Sequence, residues 1–447
     1  MPVICLKMLS ASVHHSLWEI KIIILGADSQ VRQGGPMYRK KVIAAILALS
    51  AAAIPVTDTI LTTPVTAAEE KPASMNTPDR STILLNSAKL TDKIAAQGKN
   101  KNIMFSPTSL NFALGMLAQG AKGDTLTALE DYLGTEDFAG YASTYLSKIQ
   151  DYNQDASLDA EYSTKLKIAD ALWADEDLPL YDDFCKKVSD NFQAEVQNLD
   201  FSDAENVCKT INHWCDENTE GMIPEIITPD SITKDTGLCI TNSLYFESGW
   251  SEGPWNLSPE EEAFGDQNEK TFYMTTQGDQ YYENDQATAF GRNYASGLSF
   301  IGILPKNEGE FTLEELDIGS LLDSQPEYDE VCCKMPKLNF ETSVVLSDML
   351  SELGLETIFS DQADFSGLST EPTKVDSILQ KTKLELNEEG TRAAAVTSIL
   401  MEALMDMPEE EEPVIKEVYL DRPFAFLIYD AANQEVLFMG KVTTVTE

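Results

Sequence analysis

The stretch Glu388–Thr397 reads Glu-Glu-Gly-Thr-Arg-Ala-Ala-Ala-Val-Thr, a glycine followed by a run of mostly small side chains. Bulky apolar residues continue the segment as far as Met405, and a surface segment this apolar is normally an aggregation hazard. Read with the two-residue period of a strand, the odd-numbered positions from Thr391 share one face, while the charged Arg392 and Glu402 fall on the other. The pattern predicts a segment that is first exposed as bait and later buried as a strand.

The same string resembles the hinge of the reactive loop in inhibitory serpins, and other segments resemble serpin motifs in the same order along the chain. One of them reads Thr-Asn-Ser-Leu-Tyr-Phe-Glu-Ser-Gly-Trp and is similar to the central strand of the family's main sheet. The matching segments are Asn102–Leu110, Ile211–Ile223, Thr241–Trp250, Met335–Phe340, Leu353–Gly367 and Asp421–Val442. These collinear matches extend roughly from Asp79 to Val442, and the chain resembles a secreted, bacterial, inhibitory serpin.

Local patterns predict an α+β fold, with helices mainly in the first half of the chain and strands in the second. Ser106 followed by Pro107 is a typical helix start, and the apolar runs Phe424–Tyr429 and Val436–Val442 predict a buried hairpin. The other predicted helices are Thr77–Ala96, Asp124–Leu133, Pro179–Phe192, Ala204–Thr219 and Val344–Leu353. The other predicted strands are Leu238–Phe246, Leu298–Leu304 and Val331–Leu338. The resemblance implies a serpin fold with three β-sheets, about nine helices and an exposed reactive-centre loop above the main sheet.

The chain is predicted to contain one domain, residues 69–447, because no linker, repeat or composition break interrupts it. Its reactive loop is expected at about residues 388–408. Residues 37–68 read as a signal peptide with a short spacer, because the basic run Tyr38–Lys41 precedes the apolar run Val42–Ile54. That apolar run has 13 residues and is too short to span a bilayer.

Cleavage of the signal is expected after Ala67 or Ala68, with an earlier cut near residues 51–53 as the alternative. Residues 1–36 precede the signal as an extension, and Met37 is the expected true start. The codons for Gly34 and Gly35 fit a bacterial ribosome-binding site upstream of that methionine. We therefore expect a secreted or cell-surface protein.

The chain has a formal net charge of −42, and 43% of its residues are hydrophobic, which supports a sizeable core. The charge opposes binding to nucleic acid or anionic membranes and favours cationic partners, while an acid-rich proteome explains it equally well. Glu409–Glu412 lies between two prolines just beyond the bait. This tract is either a solvated spacer or a means of steering a cationic protease to the loop. We expect a monomer that does not insert into membranes.

Histidine content argues against an enzyme. The chain contains only His14, His15 and His213, and the first two precede the expected start. A Ser-His-Asp or Cys-His site would have to use His213, which lies in a predicted helix. The sequence has no Gly-x-Ser-x-Gly elbow, no His-Glu-x-x-His motif and no glycine-rich phosphate loop. We therefore expect no catalytic residue, no cofactor and no metal ion.

Cysteine spacing leaves two readings open. Six cysteines follow the expected start, with no Cys-x-x-Cys pair among them. Buried free thiols are favoured, because a domain of this size needs no bridges, and disulfides are the alternative. The adjacent Cys332 and Cys333 would point to opposite faces of a strand.

The resemblance implies a suicide inhibitor of serine proteases. A protease attacks the exposed loop and forms a covalent acyl complex, and the freed segment then inserts into the main sheet before the complex is hydrolysed. Family spacing places the reactive bond between Leu404 and Met405, within the range Ala403–Asp406. A leucine before that bond suits chymotrypsin-like, elastase-like or subtilisin-like proteases.

The hinge residues receive separate roles in this scheme. Glu388 anchors the base of the loop, Gly390 supplies backbone freedom, and Thr391 is the first side chain expected to move from solvent into the core. The small side chains that allow the segment to pass between packed strands are Ala393, Ala394 and Ala395.

The resemblance also implies a gate beneath the main sheet, and its expected members are Ser106, Ser109, Asn242, Gln380 and Trp250. Gln380 stands where the family usually has a histidine. Glutamine donates and accepts hydrogen bonds as a neutral histidine does, but it does not titrate. A non-inhibitory serpin that acts as a binding or storage protein is the alternative function, and the small residues of the hinge favour inhibition over it.

Overall fold

The computed structural model describes residues 77–98, 101–154, 164–232, 236–265, 269–391 and 413–445. Its first helices begin where the sequence offers capping side chains. Asp79 caps α1 (Arg80–Gln97) and accepts a hydrogen bond from Ser81 N–H. Ser106 caps α2 (Pro107–Ala118), whose proline occupies the first turn. The other described α-helices are α3 (Gly123–Leu133), α4 (Phe138–Gln154), α5 (Asp182–Phe192), α6 (Ala204–Asn218), α7 (Ile318–Asp323) and α8 (Ser347–Leu350).

The described strands fall into four sheets. In chain order the strands are β1 (Ile103–Phe105), β2 (Lys165–Asp175), β3 (Glu195–Leu199), β4 (Leu238–Gly249), β5 (Asn256–Leu257), β6 (Glu262–Ala263), β7 (Lys270–Thr271), β8 (Tyr273–Gln277), β9 (Gln280–Glu283), β10 (Ala287–Asn293), β11 (Ser299–Pro305), β12 (Glu330–Pro336), β13 (Leu338–Val345), β14 (Ser377–Leu386), β15 (Gly390–Thr391), β16 (Ile415–Tyr419), β17 (Phe424–Asp430) and β18 (Glu435–Val442).

The sheet that contains Gly390 and Thr391, here called the main sheet, has the strand order β13-β14-β15-β4-β2-β3. β2 and β4 pair antiparallel along most of their length. β14 runs parallel to β4 and pairs with it only at one end, where Ser377–Gln380 lies opposite Cys239–Asn242. The two-residue β15 bridges the same two strands near their other end. β4 and β14 are therefore joined at both ends, with a stretch between the joints where they do not pair directly.

Three further sheets complete the described β-structure. One has six strands in the order β1-β18-β17-β11-β10-β9, one has four in the order β16-β12-β8-β5, and β6 pairs with β7 alone. β17 is buried at every position and β18 at nearly every position. This burial explains why their hairpin is almost uniformly apolar in sequence, as expected for strands that are covered on both faces.

The alternation of side chains along β2 separates two hydrophobic cores. Leu166, Leu172 and Ala174 join the larger core, whereas Ala171 and Trp173 join a smaller one. The smaller core also contains residues of α6, so it fills the space between that helix and the main sheet. Successive strand residues face opposite sides, and both sides of β2 are therefore committed to packing.

The predicted α+β class is confirmed. The hairpin Phe424–Tyr429 with Val436–Val442 is present as β17 and β18. The prediction of a helix over Val344–Leu353 is wrong in part. Val344 and Val345 end β13, and α8 and the irregular turns after it begin only at Ser347. The helix α4 and the strand β2 were missed, because several polar residues interrupt their apolar pattern.

The reactive loop after Thr391 lies outside the described residues, as does the predicted signal peptide. Across the described ranges, no helix has both the length and the apolar character needed to cross a membrane.

Candidate functional site

The candidate site is the end of the main sheet where β15 lies between β4 and β14. Gly390 pairs with Gly249 and Thr391 pairs with Ser248 of β4, while Thr391 also pairs with Leu386 of β14. A Cβ atom on Gly390 would lie 2.3 Å from Ser248 O, and the φ of Gly390 is +153°. Only glycine fits this close approach, since any side chain would collide with the backbone of β4.

Thr391 is already buried in the uncleaved chain, with 3% of its surface exposed. Its Oγ1 atom lies 2.7 Å from the hydroxyl oxygen of Tyr294, and the two hydroxyl groups share a hydrogen bond. The expectation that Thr391 faces solvent before cleavage is therefore wrong. The physical reason is that β15 forms strand pairings on both sides and carries the side chain into the core.

An aromatic group holds Tyr294 in place. Its ring stacks on Trp250 with centroids 4.5 Å apart, and it meets Phe246 edge-on at 4.9 Å. Burial raises the pKa of the Tyr294 phenol, so its hydroxyl stays protonated over the physiological range. Tyr294 therefore presents a neutral hydroxyl group to the hinge in a fixed position.

The residues just before the hinge are tied to the same corner of the sheet. Glu388 Oε1 lies 2.6 Å from Lys337 Nζ. The backbone N–H groups of Trp250 and Trp255 donate to the carbonyl oxygens of Glu389 and Glu388, respectively. These contacts fix the direction in which the chain enters β15.

Trp250 belongs to this hinge corner rather than to the gate, and its assignment to the gate is wrong. Its indole Nε1 lies 3.3 Å from Asn387 O. It follows the last residue of β4, eight positions beyond Asn242. Eight residues of extended strand cover about 26 Å. The indole therefore cannot reach the end of the main sheet near Asn242, where β4 and β14 pair directly.

The remaining four expected gate residues meet where β4 and β14 pair directly. Gln380 Nε2 donates to Asn242 Oδ1 at 2.7 Å and to Ser106 O at 3.0 Å. Gln380 Oε1 accepts from Ser106 N–H at 2.7 Å, and Ser109 Oγ donates to Asn242 Oδ1 at 3.1 Å. All four residues are buried. The network connects β4 and β14 to the first turn of α2, and its role as a gate remains a prediction.

Two buried carboxyl groups lie outside the predicted site. Burial raises the pKa of Asp170 on β2 well above its usual range, and burial raises the pKa of Glu435 on β18 to about 7. Sequence reasoning missed both, together with Tyr294. For the two acids, the available signal was a charged residue next to an apolar run, which a chain this rich in acids obscures, while Tyr294, just after β10, gave no such signal.

The other predicted residues lie either outside the described ranges or away from this corner of the sheet. Ala393, Ala394, Ala395, Leu404 and Met405 lie outside the described residues. His213 is exposed on α6, with its Nε2 atom 3.5 Å from Glu217 Oε1. The six described cysteines are unbridged, and the described ranges contain no group of three or more His, Cys, Asp or Glu side chains that could hold a metal ion.

Comparisons with known proteins identify the family of this chain. The family model Serpin (serine protease inhibitor) matches residues 86–445. An uncharacterized serpin-like protein of Methanosarcina mazei is 32% identical over 371 residues, which cover 79% of this chain and 84% of the relative. Leukocyte elastase inhibitor of Bos taurus is 30% identical over 374 residues, which cover 77% of this chain and 93% of the relative.

Solved structures confirm the predicted serpin fold. The native state of tengpin, a thermophilic serpin, matches with a TM-score of 0.68 and 27% identity, covering 88% of this chain and 97% of that one. Thyroxine-binding globulin complexed with thyroxine matches with a TM-score of 0.65 and 23% identity, covering 82% of this chain and 99% of that one. At that identity the second likeness concerns the fold alone.

Proposed function

Because this chain belongs to the serpin family, we propose that it is a secreted inhibitor of serine proteases that works once, by inserting its cleaved loop into the main sheet. The observation that carries the proposal is the position of β15. Its two residues form strand pairings between β4 and β14, at the mouth of the stretch where those strands do not pair directly. A loop continuing from Thr391 is thus aligned with the place it would fill.

The chemistry proceeds through an ordinary acyl-enzyme. The serine hydroxyl of the protease attacks the carbonyl carbon of Leu404, and the bond from that carbon to the nitrogen of Met405 breaks. The proton from the serine passes through the protease's histidine to the departing nitrogen. The products are an ester between protease and inhibitor and a free amino group on Met405. The segment that ends at Leu404 is then no longer bonded to Met405 and can move away from it.

Insertion competes with hydrolysis of that ester. The segment from Arg392 onward adds to β15, and its small side chains pass between strands packed at the density of a protein interior. The protease remains attached at Leu404 and is pulled away from the loop base. Inhibition results if the strand forms before water reaches the ester, and its persistence is kinetic.

Target class and location rest on the sequence. Leu404 favours proteases with a hydrophobic primary pocket, as in chymotrypsin-like, elastase-like and subtilisin-like enzymes. The relative named leukocyte elastase inhibitor fits that class. Secretion follows from the basic and apolar runs of residues 38–54. The N-terminal sequence of protein recovered from the culture medium tests the secretion directly.

The test of the mechanism is complex formation. The purified chain is mixed with chymotrypsin, elastase, subtilisin and trypsin, and the products are separated in SDS. We expect a band at the mass of the protease plus the chain up to Leu404 with at least one of the first three enzymes, because the fragment from Met405 onward separates in SDS, and no such band when the protease serine has been blocked with a fluorophosphonate. Cleavage of the loop with no such band for any enzyme would instead indicate a non-inhibitory binding or storage protein.

A further inference from the structure

We propose that Tyr294 is a positioning residue that holds Thr391 between β4 and β14 before cleavage, so that loop insertion starts from a strand residue that is already in place. This inference rests on the proposed inhibitory function. It concerns the step after cleavage and assigns Tyr294 no contact with the protease.

The first argument is geometric. The Tyr294 hydroxyl lies 2.7 Å from Thr391 Oγ1, and both side chains are buried. Within the described residues, β15 comprises Gly390 and Thr391, which pair with Gly249 and Ser248 of β4, and Thr391 also pairs with Leu386 of β14. Burial of Thr391 carries a hydroxyl group into the core, where a polar group needs a hydrogen-bond partner. Tyr294 supplies that partner and so helps to hold Thr391 in the sheet.

The second argument is the rigidity of Tyr294. Its ring lies in stacked and edge-on contact with Trp250 and Phe246. Its N–H donates to Leu298 O at 2.8 Å, and the residue also forms a bridge with Trp250. Because these contacts do not involve the loop, Tyr294 keeps its position when the loop moves. It can therefore fix Thr391 rather than follow it.

The consequence is kinetic. Ordering the first residue of a new strand costs conformational entropy before later residues contribute contacts. With Thr391 already ordered, that cost is met before the protease arrives, and the next residues add directly to an existing strand end. Loss of the Tyr294 hydroxyl should slow insertion but leave the attack on Leu404 unchanged.

The experiment compares Tyr294→Phe, Thr391→Val and the double variant with the unaltered chain. The readouts are the number of inhibitor molecules consumed per protease inactivated and the second-order rate of loop acylation. Tyr273→Phe is the matched control, because it removes another buried tyrosine hydroxyl, which donates to Ala263 O at 3.0 Å in a different sheet.

We expect each single variant at the hinge to raise the number of inhibitor molecules hydrolysed per protease inactivated, which is the consumption minus one, by about two- to tenfold, because one net hydrogen bond changes the insertion rate by that factor. The acylation rate should stay constant, and Tyr273→Phe should behave like the unaltered chain. The double variant should be no worse than either single variant, because both remove the same contact. Additive losses, unchanged consumption or a faster acylation rate in Tyr294→Phe would overturn the proposal.

A measurement on the free protein separates this inference from the proposed function. Backbone hydrogen exchange of a peptide spanning Asn387–Thr391 should be faster in Tyr294→Phe than in the unaltered chain and in Tyr273→Phe. Equal exchange would overturn the positioning role, whether or not the protein inhibits any protease. Faster exchange in Tyr294→Phe, with no covalent complex formed by the unaltered chain, would support the positioning role of Tyr294 and contradict the proposed inhibitory function.

Discussion

Asp170 and Asn242 face each other in register across β2 and β4. Neither carboxylate oxygen of Asp170 nor the Nδ2 atom of Asn242 has a hydrogen-bond partner in the described part of the chain. Both residues are buried. Burial favours the neutral form of Asp170 and raises its pKa. An acid thus lies beside Asn242, a predicted gate residue, on the strand next to β4, which borders the stretch where β4 and β14 do not pair directly.

Replacing Asp170 with asparagine should stabilise the uncleaved protein at neutral pH, because asparagine has no proton to take up on folding, whereas each pH unit above the ordinary aspartate pKa costs the folded state about 1.4 kcal/mol until the raised pKa of Asp170 is reached. A raised folded-state pKa means that stability is fully present below the ordinary aspartate value and is lost as pH rises toward the folded value. The advantage of Asp170→Asn should therefore grow with pH. Urea midpoints at several pH values measure it, with the exposed Asp177→Asn as the control. A constant difference across pH would contradict the assignment.

Glu435→Gln should flatten the pH dependence of stability between about pH 4.5 and 7. Glu435 is buried with a pKa raised to about 7, so its contribution is present below about pH 4.5 and is lost through about pH 7. Burial favours the protonated acid and outweighs the hydrogen bonds from Tyr141 and Thr108, which lower the pKa of Glu435. Thr108 Oγ1 lies 2.9 Å from Glu435 Oε2 and 2.7 Å from Val436 O. The Tyr141 hydroxyl donates to Oε1.

Thermal unfolding followed across this pH range checks the Glu435→Gln prediction, with the exposed Glu195→Gln as its control. If both variants retained the slope of the unaltered chain, Glu435 would not be the titrating group.

Thr391→Arg should convert the inhibitor into a substrate. Burying an unpaired charge costs several kcal/mol, so the arginine should drive β15 out of the sheet before cleavage and oppose its return afterwards. Electrophoresis in SDS should show cleaved chain in place of covalent complex. Ser398→Arg, on the opposite face of the predicted strand, is the control that should retain complexes. Equal complex yields for both variants would contradict the predicted orientation of the strand.

Brief exposure to chymotrypsin or elastase should cleave the chain within Ala403–Asp406, mainly after Leu404. The fragment masses identify the bond. Leu404→Arg should shift the preference toward trypsin-like enzymes, because the side chain before the cleaved bond enters the primary pocket of the protease. Dominant cleavage near Val396 would mean that the spacing from Glu388 is misassigned.

Changing all four residues of Glu409–Glu412 to glutamine should slow inhibition of a basic protease and weaken its salt dependence. Electrostatic steering raises association rates by about 10- to 10³-fold and fades as salt increases. Association rates for one basic and one acidic protease, measured over a salt series, provide the comparison. If the variant and the unaltered chain gave equal rates for both enzymes, the tract would be only a spacer.

The parts of the fold that could be predicted from sequence were those set by local chemistry. Ser106 and Pro107 mark a helix start through capping, which needs no tertiary context. The position of Thr391 could not be predicted in this way, because its burial depends on Ser248 and Tyr294, which are distant from it in sequence and meet it only in the folded structure. The strand pattern predicted that Thr391 lies on the face of the strand that becomes buried. It did not predict that the side chain is buried before cleavage.

The same distinction explains the error at Trp250. The motif Thr241–Trp250 placed Asn242 and Trp250 in one predicted group, although a twelve-residue strand separates its two ends widely. Sequence proximity misled because both residues belong to one recognisable string. An extended strand has its two ends far apart, so Asn242 would have been assigned to the predicted gate and Trp250 to the hinge.

The side chain of Gln380 imitates a peptide group. Its oxygen accepts from Ser106 N–H and its nitrogen donates to Ser106 O, the exchange that two backbones make within a ladder. The contact between Gln380 and Ser106 therefore depends on the length of the side chain and on which of its terminal atoms donates and which accepts. Asparagine would have the right polarity but would be one methylene too short, and glutamate would have the right length but would offer oxygen to the two oxygens that now receive N–H groups. At this position, length and polarity together constrain which residues evolution can substitute.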